Sequence, residues 1–135
     1  MLEHTRRTWR CNARRFSSAL FALAAAAGCR ETAGGESRIT VTEGDANRGK
    51  AAIATYGCGS CHVIPGIRTA RGMAGPPLLF WSRRTLIAGE VPNTPDALVR
   101  WIETPQAIEP GTAMPNLSVS NGDARDIAAY LYTLR

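Results

Sequence analysis

The sequence predicts an all-α domain in which three main helices are joined by long loops. Three stretches repeat apolar residues at helical spacing, and each begins with a side chain that commonly caps a helix N-terminus. No stretch shows the alternation of apolar and polar residues that predicts a half-buried strand. The connections 63–93 and 104–119 are rich in Gly and Pro, and loops of this length need something on which to pack. Three short helices supply too small a core for them, so the sequence also predicts a large apolar cofactor.

The N-terminal region of the 135-residue chain has the pattern of a targeting segment. Residues 1–28 are predicted to be a signal peptide, because five arginines precede an apolar run, 16–27, that is too short to span a bilayer. The alternative is a buried N-terminal helix. These arginines account for most of the net charge of +5, so no nucleic-acid partner is expected. We therefore predict export to the periplasm.

Cys29 follows Ala26-Ala27-Gly28, and the four residues are similar to the lipobox of bacterial lipoproteins. This similarity predicts that Cys29 is acylated once the signal peptide is removed, which would attach the protein to a membrane. The alternative is ordinary cleavage near Ala27, which leaves a soluble protein. The polar stretch 29–43 is predicted to be a flexible tether, and 44–135 is predicted to be the folded domain.

The domain is predicted to contain three helices with defined ends. The first begins after Asp45 and ends at Gly57, where the chain can take a left-handed conformation. The second begins after Thr94 and stops before Pro105, and the third begins after Ser120. The positions that predict the buried faces are Ala46, Gly49, Ile53 and Tyr56, then Leu98, Trp101 and Ile102, then Ile127, Tyr130, Leu131 and Leu134.

The sequence Cys58-Gly-Ser-Cys61-His62 has the C-x-x-C-H pattern by which c-type haem is attached. Two thiols at this spacing reach both vinyl groups of one porphyrin, and the next histidine lies under the iron. We therefore predict one haem c, bound covalently through Cys58 and Cys61, with His62 as the proximal iron ligand. A zinc site is a poorer match because it needs about four ligands. A thioredoxin-like redox motif is also a poorer match, because a helix rather than a strand precedes it.

Met114 is predicted to be the second axial ligand. His62 is the only histidine after the leader, so ligation by two histidines of this chain is excluded. Met114 precedes Pro115 on the loop between the second and third helices, a placement that suits a ligand on the opposite face of the haem. Met73 is one alternative, although it follows His62 by only eleven residues and would have difficulty reaching that face. An open sixth site is the other alternative.

The order of these features resembles that of a class I cytochrome c. After the first helix come the C-x-x-C-H motif, Gly75-Pro76-Pro77-Leu78, a helix with Trp101, Met114-Pro115 and a C-terminal helix. The resemblance covers residues 44–135 and implies the class I cytochrome c fold around one covalently bound haem. Three segments are similar to the cytochrome c domain that is fused to subunit II of haem-copper oxidases, and to its free-standing relatives. These segments are 87–94, 99–102 and 113–115.

The resemblance implies roles for further residues. The Pro76 carbonyl would accept the N–H of the proximal histidine ring, and Leu78 would pack on the haem. Gly49 and Tyr130 would lie where the first and last helices cross closely. Trp81 has no clear counterpart in the family and no assigned role. The candidates for holding the haem propionates are Arg68, Arg84 and Asn93.

Ligation by both His62 and Met114 would leave no open iron site, which favours one-electron transfer over catalysis. We therefore predict a non-enzymatic electron carrier of a respiratory chain, which receives electrons from an upstream donor and delivers them to a membrane oxidase. One alternative is the electron-entry subunit of a periplasmic dehydrogenase or reductase. Another is a sensor or enzyme that binds a small ligand after Met114 is displaced. Four arginines follow the haem motif within seventeen residues: Arg68, Arg71, Arg83 and Arg84. If they surround the exposed haem edge, they favour docking to an acidic partner. The alternative is scattered surface charge and compensation of the haem propionates.

Overall fold

The computed structural model describes residues 39–135 of the chain. The predicted signal peptide, 1–28, and Cys29 lie outside the described residues, as does most of the predicted tether. Along the part that is described, no helix is long and apolar enough to cross a membrane. Val41 is already buried, so the packed part of the chain extends a few residues N-terminal to residue 44.

The three predicted helices are present at nearly their predicted positions. Helix α1 spans Ala46–Thr55, α2 spans Pro95–Glu103 and α3 spans Asn121–Leu131. The side chains of Asp45, Thr94 and Ser120 each accept a hydrogen bond from the backbone N–H three residues later. These bonds satisfy N–H groups that have no partner inside a helix, so the predicted helix starts are confirmed. Short 3₁₀ turns lie at Cys58–Ser60, Trp81–Arg83 and Pro105–Ala107.

The long loop after the C-x-x-C-H motif contains a short antiparallel ladder that the sequence pattern does not predict. Strand β1, Leu86–Ile87, pairs with strand β2, Val91–Pro92. Ala88 and Gly89 both take a positive φ in the turn between them, as tight hairpin turns require. Each strand has only two residues, which is too short for an alternating pattern to be visible in the sequence.

Helices α1 and α3 cross at a distance that only a glycine permits. A Cβ atom on Gly49 would lie 1.9 Å from the carbonyl oxygen of Asp126, so the two backbones are in direct contact. The buried Asp126 carboxylate accepts hydrogen bonds from the backbone N–H of Asp45 at 2.7 Å and from the Arg48 guanidinium at 2.7 and 2.8 Å. The bonds from Arg48 hold the pKa of this carboxyl below its usual value. Gly49 therefore lies at the helix crossing, as the resemblance implied.

Two buried tyrosines near the C-terminus connect the helical frame to the loops. Tyr130 of α3 donates a hydrogen bond to the carbonyl of Pro65 at 2.6 Å, which holds the loop after the C-x-x-C-H motif. Tyr132 donates to the side chain of Asn93 at 2.9 Å, just before α2 begins. The resemblance placed Tyr130 at the helix crossing; the contact that the structure shows for its hydroxyl is with the loop.

We expect Gly49→Ala to destabilise the protein strongly. The added methyl group would force the α1 and α3 backbones apart, and overpacking of this kind costs about 1–3 kcal/mol or more. The matched control is Gly122→Ala in α3, where a Cβ atom would meet nothing within 4 Å. That change should be neutral or stabilise by up to about 1 kcal/mol. Urea unfolding followed by circular dichroism measures both, and equal midpoints for the two variants would contradict the close crossing.

Candidate functional site

The three helices and the long loops surround an apolar cavity of about 390 Å³. Each helix supplies buried side chains to its wall: Ile53 from α1, Leu98 and Ile102 from α2, and Ile127 and Leu131 from α3. The apolar faces of the helices therefore point toward a space as well as toward one another. A protein core arranged in this way is suited to holding a large apolar group.

The C-x-x-C-H motif forms part of the cavity wall. Gly57 takes a positive φ directly after α1, which lets the chain turn into the 3₁₀ turn Cys58–Ser60. The N–H groups of Cys61 and His62 both bond to the carbonyl of Cys58, at 3.3 and 3.0 Å. Burial raises the pKa of the Cys58 thiol. This turn brings both thiols and the imidazole to the same cavity.

The His62 ring is oriented by the segment that follows the motif. Its Nδ1 lies 2.7 Å from the carbonyl oxygen of Pro76. A carbonyl can only accept, so Nδ1 carries the proton of this bond and Nε2 keeps a free lone pair. A Cβ atom on Gly75 would lie 2.5 Å from Cε1 of the His62 ring, so no other residue type could pack so closely there. The contact between His62 and Pro76 is the one that the resemblance implied.

Met114 lines the same cavity as His62 and is half-buried. Its backbone N–H donates to the hydroxyl of Thr112 at 3.2 Å, and its carbonyl accepts from the side-chain amide of Gln106 at 2.7 Å. Met73, the alternative ligand, is 90% exposed and is not among the residues that line the cavity. The structure therefore brings Met114, and not Met73, together with His62.

Two further apolar residues singled out in the sequence reach the cavity. Leu78 is half-buried in the wall, and its backbone N–H donates to the carbonyl of Val63 at 2.9 Å. This bond ties the Gly-Pro-Pro-Leu segment to the chain just after the C-x-x-C-H motif. Trp101 is half-buried and lines the cavity from α2.

Of the three residues considered for the haem propionates, Arg84 alone is among the residues that line the cavity. Its guanidinium lies 5.0 Å from the centre of the Trp81 ring and donates to the carbonyl of Pro77. Arg68 is exposed on the loop after the C-x-x-C-H motif. Asn93 stabilises the loop instead, because its side-chain amide donates hydrogen bonds to the carbonyls of Trp81 and Arg84 at 3.1 and 3.0 Å.

Trp81 is a cavity residue to which the sequence assigns no role. It is 5% exposed and lies in the cavity wall. Its indole Nε1 is buried and has no hydrogen-bond partner among residues 39–135. An unpartnered buried donor costs about 1–3 kcal/mol, so a polar group brought by a ligand would relieve a real penalty. No sequence signal identifies this residue, because the orphaned donor exists only in the folded arrangement.

The residues around the cavity fit a haem group. An imidazole nitrogen and a thioether sulfur are established axial ligands of haem iron, and the two cysteines have the sequence spacing of the C-x-x-C-H attachment motif. The apolar wall suits the porphyrin plane. Cys58, Cys61 and His62 share this cavity, but within residues 39–135 no three His, Cys, Asp or Glu side chains are arranged to hold one metal ion, so the four-ligand set of a structural zinc is not matched.

Comparisons with known proteins agree with this geometry. A family model described as Cytochrome c matches residues 46–135. Cytochrome c oxidase subunit 2 of Alkalihalophilus pseudofirmus is 35% identical over 95 residues, which cover 70% of this chain and 27% of that relative. The chain thus spans about a quarter of the relative's length. The predicted all-α fold and the resemblance to the oxidase-linked cytochrome c domain are both confirmed.

Proposed function

The chain belongs to the cytochrome c family, and from that membership we propose its specific function. As a member of this family it is a haem-based electron carrier. Its haem is held covalently by Cys58 and Cys61, with His62 and Met114 as the two axial ligands. It takes single electrons from an upstream donor and delivers them to a terminal oxidase of a respiratory chain. The observation on which this function rests is that His62 and Met114 line one apolar cavity.

The chain's own residues prepare this cavity for electron transfer. A haem bound here supplies a one-electron iron couple. The Pro76 carbonyl keeps the proton of His62 on Nδ1, which leaves Nε2 available as a ligand in both oxidation states. With Met114 as the second ligand, no coordination position would be open to small ligands. Because the same two side chains would hold the group in either oxidation state, little rearrangement of the protein would accompany the gain or loss of the electron.

The proposed acceptor is supported by the similarity to the cytochrome c oxidase subunit. That relative is a cytochrome c oxidase subunit 2, and the similarity covers 70% of the present chain. This similarity supports the proposal that the domain exchanges electrons with a terminal oxidase. One donor molecule would lose one electron and the oxidase would gain it, so no further co-reactant is needed.

The proposed location is the periplasmic side of a membrane. Export is supported by the Arg-rich and apolar character of residues 1–28, and by the attachment of c-type haem outside the cytoplasm. Acylation of Cys29 would hold the domain beside a membrane oxidase, and 29–43 would act as the tether.

Replacing Met114 tests the closed iron site. We expect the reduced wild-type protein to bind carbon monoxide much more weakly than a protein with an open iron site, and the oxidised protein to show the far-red band of methionine-ligated haem. In Met114→Ala the band should disappear, and carbon monoxide should bind stoichiometrically because a coordination position is free. Absorption spectra with and without carbon monoxide measure both effects.

The matched control for this experiment is Met73→Ala. Met73 is 90% exposed, so its loss should change neither spectrum. A wild-type protein that lacks the far-red band and binds carbon monoxide as readily as Met114→Ala would refute Met114 ligation and support a ligand-binding sensor or enzyme.

Trp81 and Arg84 are the residues that we assign to a haem propionate. The buried Nε1 of Trp81 has no partner among the described residues, and the Arg84 guanidinium stacks against the same ring. A propionate carboxylate would satisfy the indole donor and neutralise the arginine charge. Both residues come from the turn that follows Leu78, so one short segment would bind a haem edge and its carboxylate.

Trp81→Phe should lower the reduction potential by about 20–65 mV, which is the one-electron equivalent of losing one net hydrogen bond of about 0.5–1.5 kcal/mol. Without the indole donor, the negative propionate is less neutralised, which favours the ferric state. The far-red band should persist, because axial ligation is untouched. Trp101→Phe removes the same volume from the α2 wall of the cavity and is the control. Equal shifts in the two variants would show that volume, and not the hydrogen bond, causes the effect.

Cys29→Ser tests the membrane attachment. If Cys29 is acylated, the wild-type protein should be found with membranes after cell fractionation, and its mass should include the lipid. The variant lacks the thiol that would be acylated, so it should be released into the soluble fraction with its haem spectrum unchanged. Soluble wild-type protein cleaved near Ala27 would contradict the lipid anchor but not the proposed electron transfer.

A further inference from the structure

We propose that Gln106 and Thr112 act as positioning residues that clamp the backbone of Met114 and so keep the iron site closed. This proposal rests on the function proposed above, in which Met114 is an axial ligand. Neither residue has a part in the C-x-x-C-H motif, and neither is a haem ligand in the proposed function. The clamp acts on both polar groups of the Met114 backbone, one from each side.

The geometry of the clamp is specific. The side-chain amide of Gln106 donates to the Met114 carbonyl at 2.7 Å, a short bond for a neutral N–H donor. The Thr112 hydroxyl accepts from the Met114 N–H at 3.2 Å. Pro115 follows directly and restricts the Met114 backbone to extended conformations. Three independent constraints thus fix the peptide units on either side of the ligand.

The fixed end of the clamp is a well-anchored turn. Gln106 belongs to the 3₁₀ turn Pro105–Ala107, which follows α2 after a single residue. Pro105 is fully buried, and its carbonyl accepts the N–H groups of Ile108 and Glu109 at 3.1 and 3.0 Å. The Gln106 side chain therefore extends from a rigid base to a loop, and it couples the position of Met114 to the packing of α2.

Other hydrogen bonds of the Met114 loop are local. The N–H of Ser118 donates to the side chain of Asn116, and the N–H of Gly111 donates to the carboxylate of Glu109. Such bonds shape the loop but do not tie it to a helix. The bond from Gln106 is different, because breaking it lets the ligand loop move away while the helices stay packed.

The proposed clamp leads to a quantitative prediction about how often Met114 leaves the iron. Carbon monoxide binds the reduced iron only when Met114 has left, so its apparent affinity is proportional to the open population. Loss of one net hydrogen bond raises that population by about three- to tenfold. The effect should be confined to the loop, because Gln106 is exposed and supports no part of the core.

The experiment uses the full-length haem-loaded protein and the variants Gln106→Glu and Gln106→Leu. The first keeps the side-chain shape but its carboxylate cannot donate, and the second removes the polar group without adding charge. Thr112→Val removes the other half of the clamp. The matched control is Thr104→Val, because the exposed Thr104 hydroxyl makes a comparable bond to the Arg100 carbonyl at 3.2 Å and does not touch Met114.

We expect both Gln106 variants to bind carbon monoxide about three- to tenfold more tightly than wild type, and Thr112→Val to change in the same direction. Their far-red band should be lost at a lower temperature, while the urea midpoint of global unfolding stays that of Thr104→Val. If the Gln106 variants match Thr104→Val in carbon monoxide affinity, the clamp is wrong and Met114 ligation stands. A wild-type protein without the far-red band would overturn both the ligation and the clamp.

Discussion

The direct contact between the α1 and α3 backbones at Gly49 and Asp126 is the constraint on which the rest of the structure depends. It sets the position of α1 against α3, and Gly57 after α1 then turns the chain so that the C-x-x-C-H motif meets the cavity. It also sets α3, whose Tyr130 holds the loop at Pro65. The buried Asp126 carboxylate also stabilises this crossing, because it accepts hydrogen bonds from the N-cap residue Asp45 and from Arg48 of α1.

Around this crossing the protein has features that a bound cofactor would stabilise. The helices direct apolar side chains into a cavity of about 390 Å³, and the indole donor of Trp81 is left without a protein partner. Both features cost free energy in the protein alone, the first through lost contacts and the second through an unmade hydrogen bond. A haem would offset both costs, which explains how so few helical residues can support such long loops.

The sequence predicts the parts of this structure that are governed by local chemistry. Side-chain caps mark all three helix starts. The spacing within the C-x-x-C-H motif predicts the haem-attachment residues. It does not predict contacts that arise only when distant segments meet, such as the bond from Gln106 to Met114 or the orphaned Nε1 of Trp81. Asn93 is instructive in this respect. Its polar side chain suggests a ligand contact, but the fold uses it to bond two backbone carbonyls.

The two proposed iron ligands are held by unequal means, and this asymmetry bears on function. His62 follows two cysteines on a tight turn, and its ring is fixed by Pro76 and packed against Gly75. Met114 lies on a loop, and its place depends on hydrogen bonds that are each worth about 1 kcal/mol. The position of His62 is therefore fixed by its neighbouring cysteines in the chain and by close packing. The position of Met114 depends instead on an equilibrium between bound and released loop conformations. Small changes in the loop could open the site without unfolding the domain, so whether such a protein carries electrons or binds ligands is decided on the Met114 side.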